Sequence, residues 1–206
     1  TANNNTSLGY ATLSTACGNA NTALGSQSLY NNTEANNVAV GYAALFANTS
    51  GVANVAVGSE AATANTTGGY NVVVGYQALD ANTTGGSNVA VGYNSLGANT
   101  TADNNTAFGT HALKVNTTGH SNSAVGQAAA QSLTTGDYNT ALARVALESV
   151  TTGDANTGVG YHAGQTITTG VGNTILGAYS DTDATDTNHS IAIGYDVTGT
   201  TSTTTI

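Results

Sequence analysis

Four histidines and eleven acidic residues are the side chains of this 206-residue chain that could serve as general acids, general bases or metal ligands. His111 and His162 occupy equivalent positions of a sequence repeat, but three repeats apart, and His120 and His189 fall elsewhere in it. A glycoside-cleaving site would need two carboxylates facing one groove, and the acidic residues are scattered. We therefore expect no catalytic residue, no cofactor and no metal site, and predict that the chain is not an enzyme.

One acidic stretch and one cysteine need their own interpretation. Asp181, Asp183, Asp186 and Asn188 resemble a calcium loop but lack the glycine turn and closing glutamate of an EF-hand. We interpret the stretch as a solvated loop between coils. Cys17 is the single cysteine, which excludes an intramolecular disulfide and a thiolate zinc site, so we expect it to be a small packing residue.

Charge excludes two classes of partner. Lys114 and Arg144 are the two basic residues against eleven acidic ones, for a net charge of −9. Such a chain cannot neutralise nucleic-acid phosphates or an anionic lipid surface. No run approaches the roughly 18 apolar residues of a membrane helix. We expect no nucleic-acid partner and no direct membrane insertion in this segment.

A pentad of the form Asn-x-Ala-Val-Gly, with close variants, recurs twelve times and decides the architecture. Successive pentads are separated by 16, 16 and then nine times by 17 residues. They begin at Asn5, Asn21, Asn37, Asn54, Asn71, Asn88, Asn105, Asn122, Asn139, Asn156, Asn173 and Ser190. We number each unit from this first residue: a "place" is a position within the unit, and a "file" is the set of residues that share a place.

The pentad has the composition of a short strand, because the Val, Ile and Thr residues common at places two and four are β-formers. Alternation along a strand puts these two places on one face and the small third place on the other. Interpreting the bulky face as the inner one, we predict that it joins the leucines of place nine in the core. The predicted core residues include Val57, Val74, Val91, Leu45, Leu79 and Leu96.

The second half of each unit is rich in turn residues. Segments such as Asn65–Gly68 and Asn82–Gly85 have the sequence Asn-Thr-Thr-Gly, which favours turns. The Asn-x-Ser/Thr sequences would be glycan acceptors in a secretory-pathway protein, and we interpret them as ordinary turn residues. Place twelve changes from Asn to Leu133, Val150 and Ile167 in later units, where we expect the corner to turn inward or to meet a neighbour.

These patterns predict an all-β parallel β-solenoid (β-roll) of about twelve coils, each of 16 or 17 residues. Units of this length leave no room for two helices, and a propeller blade needs about 40 residues. Equivalent residues of successive coils should stack about 4.8 Å apart. We predict that residues 1–195 form the solenoid, and that residues 196–206 form an irregular or shorter terminal coil that continues into a further segment.

A coil of this size encloses little apolar surface, while ordering its backbone costs roughly 1–2 kcal/mol per residue. The flat third-place file would allow chains to approach closely, so we expect a homo-oligomer with its seam along that file. Val73 and Ile175 are the bulky exceptions, expected to fill gaps at the axis or to mark where the seam opens. The predicted seam residues are Ala39, Ala56, Ala90, Ala107, Ala124 and Ala141.

Tyrosine recurs at place six, and Tyr76 and Tyr93 lie in adjacent units. A row of aromatic rings can stack on sugar rings, which makes this file a candidate glycan-binding surface. The alternative is lateral packing against the next coil or chain. The candidate ligand-contact residues are Tyr42, Tyr76, Tyr93 and Tyr161.

The recurring Asn-x-Ala-Val-Gly pentad, followed by a small or aromatic residue, resembles the head repeats of trimeric autotransporter adhesins. The Gly-Tyr-x-Ala-Leu and Asn-Thr-Thr-Gly stretches, as at Gly75–Leu79 and Asn82–Gly85, are similar to repeats of phage tail-fibre-like proteins. The resemblance extends from Asn5 to about Tyr195. It implies a left-handed parallel β-roll, assembled as a homotrimer of parallel chains in register.

The resemblance also implies a function and a location. We expect a structural and adhesive fibre segment on a bacterial cell surface or a virion, outside the cell, which binds itself and a host surface protein or glycan. An alternative is an ice-binding solenoid, because Thr pairs recur at places thirteen and fourteen. Adjacent strand residues point to opposite faces, so such a pair does not make a double file on one surface.

Overall fold

The chain folds into a single stack of short parallel strands in a computed structural model that describes residues 4–15 and 17–205. The described residues form strands and turns and no helix, so none of them provides a helix that could span a membrane. The strands are β1 (Thr6–Leu8), β2 (Thr22–Leu24), β3 (Val38–Val40), β4 (Val55–Val57), β5 (Val72–Val74), β6 (Val89–Val91), β7 (Thr106–Phe108), β8 (Ser123–Val125), β9 (Thr140–Leu142), β10 (Thr157–Val159), β11 (Thr174–Leu176), β12 (Asp181–Thr182), β13 (Ile191–Ile193), β14 (Thr198–Gly199) and β15 (Thr204–Thr205).

Strand order follows the chain. One sheet has the order β1 to β11, then β13 and β15, and a small second sheet pairs β12 with β14. The strands of the main sheet up to β13 occupy places two to four of the twelve units, and Val55 pairs with Val72 in the next coil. The predicted parallel β-solenoid, with coils starting at the twelve pentads, is confirmed. The last pairing joins Ile191 to Thr204, which is 13 residues later, so the terminal coil is short.

The strands face the opposite way from the sequence prediction. Val57 and Val74 are 36% and 38% exposed, and Val91 is half-buried, so the predicted inward facing of these valines is wrong. The third-place residues lie inside instead, because the strand packs closely on place nine. At Gly158, a third-place residue, an added Cβ would lie 2.7 Å from Cγ of Leu147. The coil therefore accepts mainly alanine at place three.

The predicted seam is overturned by the same observation. Its alanines are fully buried within a single chain and leave no surface for a partner chain. The residues concerned are Ala39, Ala56, Ala90, Ala107, Ala124 and Ala141. The place-nine leucines were predicted correctly: Leu45, Leu79 and Leu96 are buried in the core with them.

The bulky third-place residues are core residues too, and do not mark an axis or an opening between chains. Val73 and Ile175 are fully buried. Each follows a coil whose ninth place is small, Ala62 before Val73 and Gly164 before Ile175. Cγ1 of Ile175 lies 3.6 Å from the position that a Cβ on Gly164 would take. A large third-place side chain thus occupies space that the missing leucine leaves.

A ladder of buried asparagines runs along place one. In the unit of Asn54, Oδ1 of Asn37 accepts the backbone N–H of Asn54 at 2.9 Å, and Nδ2 of Asn54 donates to the Gly68 carbonyl at 2.9 Å. The same pattern recurs at Asn71, which donates to the Gly85 carbonyl. The ladder joins each strand to the previous coil and to its own turn, which explains why asparagine begins eleven of the twelve pentads.

Place twelve forms a second ladder in the earlier coils. Nδ2 of Asn65 donates to Oδ1 of Asn48 at 2.9 Å and to the Gly68 carbonyl at 2.9 Å. These asparagines are turn residues, as predicted, but their side chains point inward. The members Asn48, Asn65, Asn82, Asn99 and Asn116 are fully buried. Leu133, Val150 and Ile167 continue the file and are also fully buried, which confirms that this corner turns inward.

Candidate functional site

The residues of places six and seven form one continuous surface, which we call the aromatic face. The chain bends at the fifth-place glycine, as at Gly75 with φ 142°, and again at place seven, as at Gln77 with φ 52°. An added Cβ on Gly75 would lie 2.5 Å from the carbonyl oxygen of Gly92 in the next coil. Glycine is therefore favoured at this close approach between coils, and the side chains of the next two places stack along the rod.

The first segment of this face is a groove around Tyr42. Its volume is about 280 Å³. At place six Tyr42 lies between serines of the two neighbouring coils, Ser26 and Ser59, and is 52% exposed. The Glu60 carboxylate accepts a hydrogen bond from Nε2 of Gln77 at 2.8 Å. The lining residues are Gln27, Tyr42, Ala43, Phe46, Glu60 and Thr63.

The second segment is an aromatic stack in the middle of the rod. The rings of Tyr76 and Tyr93 lie 5.8 Å apart and 4° from parallel. His111 continues the row, 5.1 Å from Tyr93 at a tilt of 55°. Both tyrosines are about half exposed. Each ring therefore packs against its neighbour, in agreement with the lateral-packing interpretation, and still presents surface to solvent.

The third segment gathers four rings and a guanidinium in the last coils. Tyr161 lies 4.2 Å from His162 and 5.3 Å from Tyr179, both with edge-to-face geometry. Tyr195 lies 5.9 Å beyond Tyr179. The Arg144 guanidinium lies over the Tyr161 ring, 5.4 Å from its centroid. Desolvation, and after it the neighbouring Tyr161 and Tyr195 hydroxyls, raise the pKa of Tyr179.

The four tyrosines predicted as contacts all lie on the aromatic face, but they do not form one site. Tyr42 lines the groove, Tyr76 and Tyr93 stack, and Tyr161 belongs to the third segment. The sequence analysis missed Tyr179, because it stands at place seven rather than six. The signal was present: place seven also holds His111 and His162, which lie beside sixth-place tyrosines.

A second surface lies on the outer side of the main sheet. Place four is apolar in all twelve units. Phe108 is 55% exposed and Val125 40%, values that are unusual for large apolar side chains in a row. We call this file the apolar face. Its members are Leu8, Leu24, Val40, Val57, Val74, Val91, Phe108, Val125, Leu142, Val159, Leu176 and Ile193.

The acidic stretch near the end of the chain is occupied by local hydrogen bonds. The Asp181 carboxylate accepts the backbone N–H and the hydroxyl of Thr166 at 2.8 Å and 2.7 Å. Asp183 accepts the Thr187 hydroxyl at 2.9 Å. Within residues 4–15 and 17–205, no group of three or more His, Cys, Asp or Glu side chains is placed to hold a metal ion.

The other histidines have structural surroundings. His120 accepts the backbone N–H of Asp103 through Nδ1 at 2.9 Å and donates its own N–H to Asp137 at 2.6 Å. These three residues share place sixteen, so each side chain caps the backbone of the preceding coil. The arrangement links coils.

Fold and surfaces together define a repeat protein of the parallel β-solenoid class, with an aromatic face and an apolar face along the rod. No protein-family model, curated protein or solved structure matches the chain. Its function must therefore be argued from these two surfaces.

Proposed function

We propose that the chain is a non-enzymatic fibre segment whose copies associate side by side through the apolar face and present the aromatic face for attachment. The observation that carries this proposal is the exposed, uninterrupted apolar fourth place. Long rows of exposed apolar side chains mark interaction surfaces. A charge in any unit would disrupt such a contact, and none occurs at place four.

Parallel chains in register suit this surface best. The strand pairings of the main sheet from β1 to β13 are parallel and in step with the repeat, as for Val74 with Val91. Two copies aligned in the same direction would set each fourth-place residue opposite its own equivalent along the whole rod. The resemblance to trimeric adhesin heads favours three chains over two. It also favours a bacterial cell surface or a virion as the location.

Attachment is assigned to the aromatic face. Exposed tyrosine rings offer apolar faces with polar edges, which suits sugar rings or a host surface protein. Repetition in several coils and several chains would raise the apparent affinity of weak individual contacts. The segment would thereby combine reach with multivalent adhesion.

Oligomeric state tests the apolar face. We would replace Val57, Val74 and Val125 by Asp together and measure mass by light scattering. The wild-type chain should have three times the chain mass and the variant should be monomeric, because like charges would then meet across the contact. A wild-type monomer at micromolar concentration, or an intact oligomer in the variant, would refute association through this face.

A matched control separates association from folding. Thr67, Thr84 and Thr135 lie in the same three coils, at the exposed fourteenth place. Their replacement by Asp adds the same charge and should leave the oligomer intact. Circular dichroism should show the β-solenoid in both triple variants, because each altered side chain is exposed in the single chain.

Attachment is tested separately, with a printed array of neutral and acidic glycans. The wild-type oligomer should bind at least one glycan, and Tyr76→Ala with Tyr93→Ala should weaken that binding when neutral sugars are the ligands. An oligomer that binds neither glycans nor host cells would leave a structural fibre without an adhesive role.

Ice binding, the alternative from the sequence, would use the paired threonines. At place thirteen the Thr83 hydroxyl donates to the Thr100 carbonyl at 3.0 Å and is half-buried, while Thr84 at place fourteen is exposed. One exposed hydroxyl file remains rather than two. If the purified protein produced no measurable thermal hysteresis, an ice-binding function would be refuted.

A further inference from the structure

Arg144 is placed differently from the other basic residue of the chain. It is exposed at place six, where Nε donates to Oε1 of Gln127 at 3.0 Å and Nη1 donates to Oη of Tyr161 at 3.1 Å. These contacts hold the guanidinium in a fixed orientation over the Tyr161 ring. A guanidinium has five N–H donors, and three of them are engaged by no described residue. They remain available to a ligand.

The backbone immediately before Arg144 is strained. Ala143 has φ 121°, a region that is essentially reserved for glycine. Glycine occupies this fifth place in the eleven other units. Strained residues of this kind cluster at functional sites, where the surrounding structure holds them. Here the strained residue directly precedes the side chain that carries the positive charge.

Aromatic rings complete a surface next to this charge. Tyr179 stacks on His162 at 5.6 Å and 14°, and its own ring is 46% exposed. Tyr195 lies at 77° to Tyr179 and is 74% exposed. The two tyrosines thus form two walls of an open corner. Nδ1 of His162, whose ring stacks on Tyr179, is buried and has no hydrogen-bond partner among the described residues.

The electrostatic setting selects one kind of anion. Between Glu60 and Asp196 no acidic residue occurs at places six or seven, so Arg144 carries the positive charge of this part of the face, and Asp196 beside Tyr195 marks its acidic end. The chain as a whole carries a net charge of −9, which repels polyphosphates and nucleic acids. One guanidinium matches one carboxylate, through two parallel hydrogen bonds.

We propose that Arg144, Tyr179 and Tyr195 form a binding site for a carboxylate-bearing sugar. The guanidinium binds the carboxylate and the tyrosine rings pack against the apolar face of the pyranose. The proposal rests on the proposed adhesive role of the aromatic face and names its ligand class.

Calorimetric titration of the wild-type protein tests the site with three acidic probes and their neutral counterparts. The acidic probes, each with one carboxylate, are 3′-sialyllactose, a hyaluronan disaccharide and galacturonate; the neutral ones are lactose, a chitin disaccharide and the galacturonate methyl ester. At least one acidic probe should bind, and its neutral counterpart should bind about tenfold more weakly or not at all.

Two charge-matched variants locate the site. Arg144→Gln should weaken binding of the acidic probe about tenfold or more, whereas Lys114→Gln, which changes the net charge equally, should not. Tyr179→Ala should also abolish binding while light scattering shows the same oligomer. Equal effects of the two charge variants would overturn the assignment to Arg144.

Failure of this proposal differs from failure of the proposed function. If none of the acidic probes binds, or if each neutral counterpart binds equally well, the carboxylate site is refuted. The apolar-face test of association and the binding of neutral glycans through Tyr76 and Tyr93 are independent of that result. If the wild-type protein were monomeric but still bound the acidic probe, association through the apolar face would be refuted and the carboxylate site would be supported.

Discussion

The coils that carry Asn32 to Asn116 at place twelve and those that carry Leu133 to Ile167 close the same corner by different means. In the earlier coils each amide donates to the preceding amide and to a turn carbonyl, as Asn82 does to Asn65 and Gly85. In the later coils the corner holds three apolar side chains, all fully buried. The strands continue in register across the boundary. The backbone of the coil therefore accepts a polar or an apolar corner.

The stability of either corner depends on whether the residues of adjacent coils at place twelve are of the same kind, polar or apolar. A buried amide is stable where adjacent coils supply its partners, and costly where they do not. The boundary shows this cost: Oδ1 of Asn116 is buried without a described partner, because the next residue of the file is Leu133. The place-one ladder runs through both regions and is common to them.

Breaking the amide ladder in its middle should have the largest effect. Asn82→Leu removes two donated bonds and leaves Nδ2 of Asn99 without the acceptor it reaches at 2.9 Å. We expect a loss of about 2–4 kcal/mol in the free energy of unfolding, measured by urea denaturation. Asn116→Leu, at the end of the same ladder, is the control and should cost clearly less. Equal losses would show that the ladder is not cooperative.

Introducing amides into the apolar corner should destabilise the protein less than breaking the amide ladder. If lost apolar burial alone decided the cost, Leu133→Asn would destabilise more than Val150→Asn; we expect the opposite. Val150→Asn places Oδ1 between Leu133 and Ile167 and should cost about 1–3 kcal/mol. Leu133→Asn removes a larger apolar group, yet its Nδ2 can donate to the unpaired Oδ1 of Asn116. We therefore expect Leu133→Asn to melt at a higher temperature than Val150→Asn. The opposite order would mean that burial dominates the boundary.

Relieving the strain at Ala143 should stabilise the later region. Ala143→Gly allows the observed φ without a Cβ, and the gain should be about 0.5–2 kcal/mol after the greater chain entropy of the unfolded glycine is included. The reverse change in the earlier region, Gly92→Ala, should destabilise, since its Cβ would lie 2.6 Å from the carbonyl carbon of Gly109. A lower melting temperature for Ala143→Gly would contradict the strained conformation.

The smallest effect is expected at Asp80, in the earlier region. Desolvation by partial burial, helped by the charge of Glu60, raises the pKa of Asp80 above its ordinary value of 3.8, although the backbone amides of Asp80 and Ala81 oppose the shift. The ionised form therefore costs stability, and this cost appears as pH rises through the folded pKa. Asp80→Asn should stabilise by less than about 0.5 kcal/mol at neutral pH, with no gain near pH 3. Melting temperatures of the wild type and Asp80→Asn at both pH values test this. A stability gain confined to low pH would contradict the raised pKa of Asp80.

The repeat made the fold predictable, because equivalent residues must stack when one unit forms one coil. The starts of all twelve coils and the inward leucines, such as Leu79, follow from period and composition. The facing of the strand did not follow. Alternation separates Val74 from its third-place neighbour Val73 but does not say which is inside. Which face points inside is decided by the space between place three and place nine across the coil, and that distance is not visible in the sequence.

The candidate sites were predictable only in part, for related reasons. Tyr76 and Tyr93 share a place in adjacent units, so their stacking could be anticipated. The third segment of the aromatic face combines places six and seven, and its geometry depends on two consecutive bends. The fourth place is apolar in every unit, which was visible in the sequence, but an uncharged apolar row is compatible with a core as well as with an exposed surface.

The strands stack along the rod, so the hydrogen bonds between coils point along its length. These interfaces lie in series, so a pull on the two ends of the rod puts the full tension on each of them. Extension then proceeds by opening single coils, and a step that lacks an amide bond at place twelve, such as that from Asn116 to Leu133, should open before one that has it. A rod built in this way yields in small steps and absorbs energy under load.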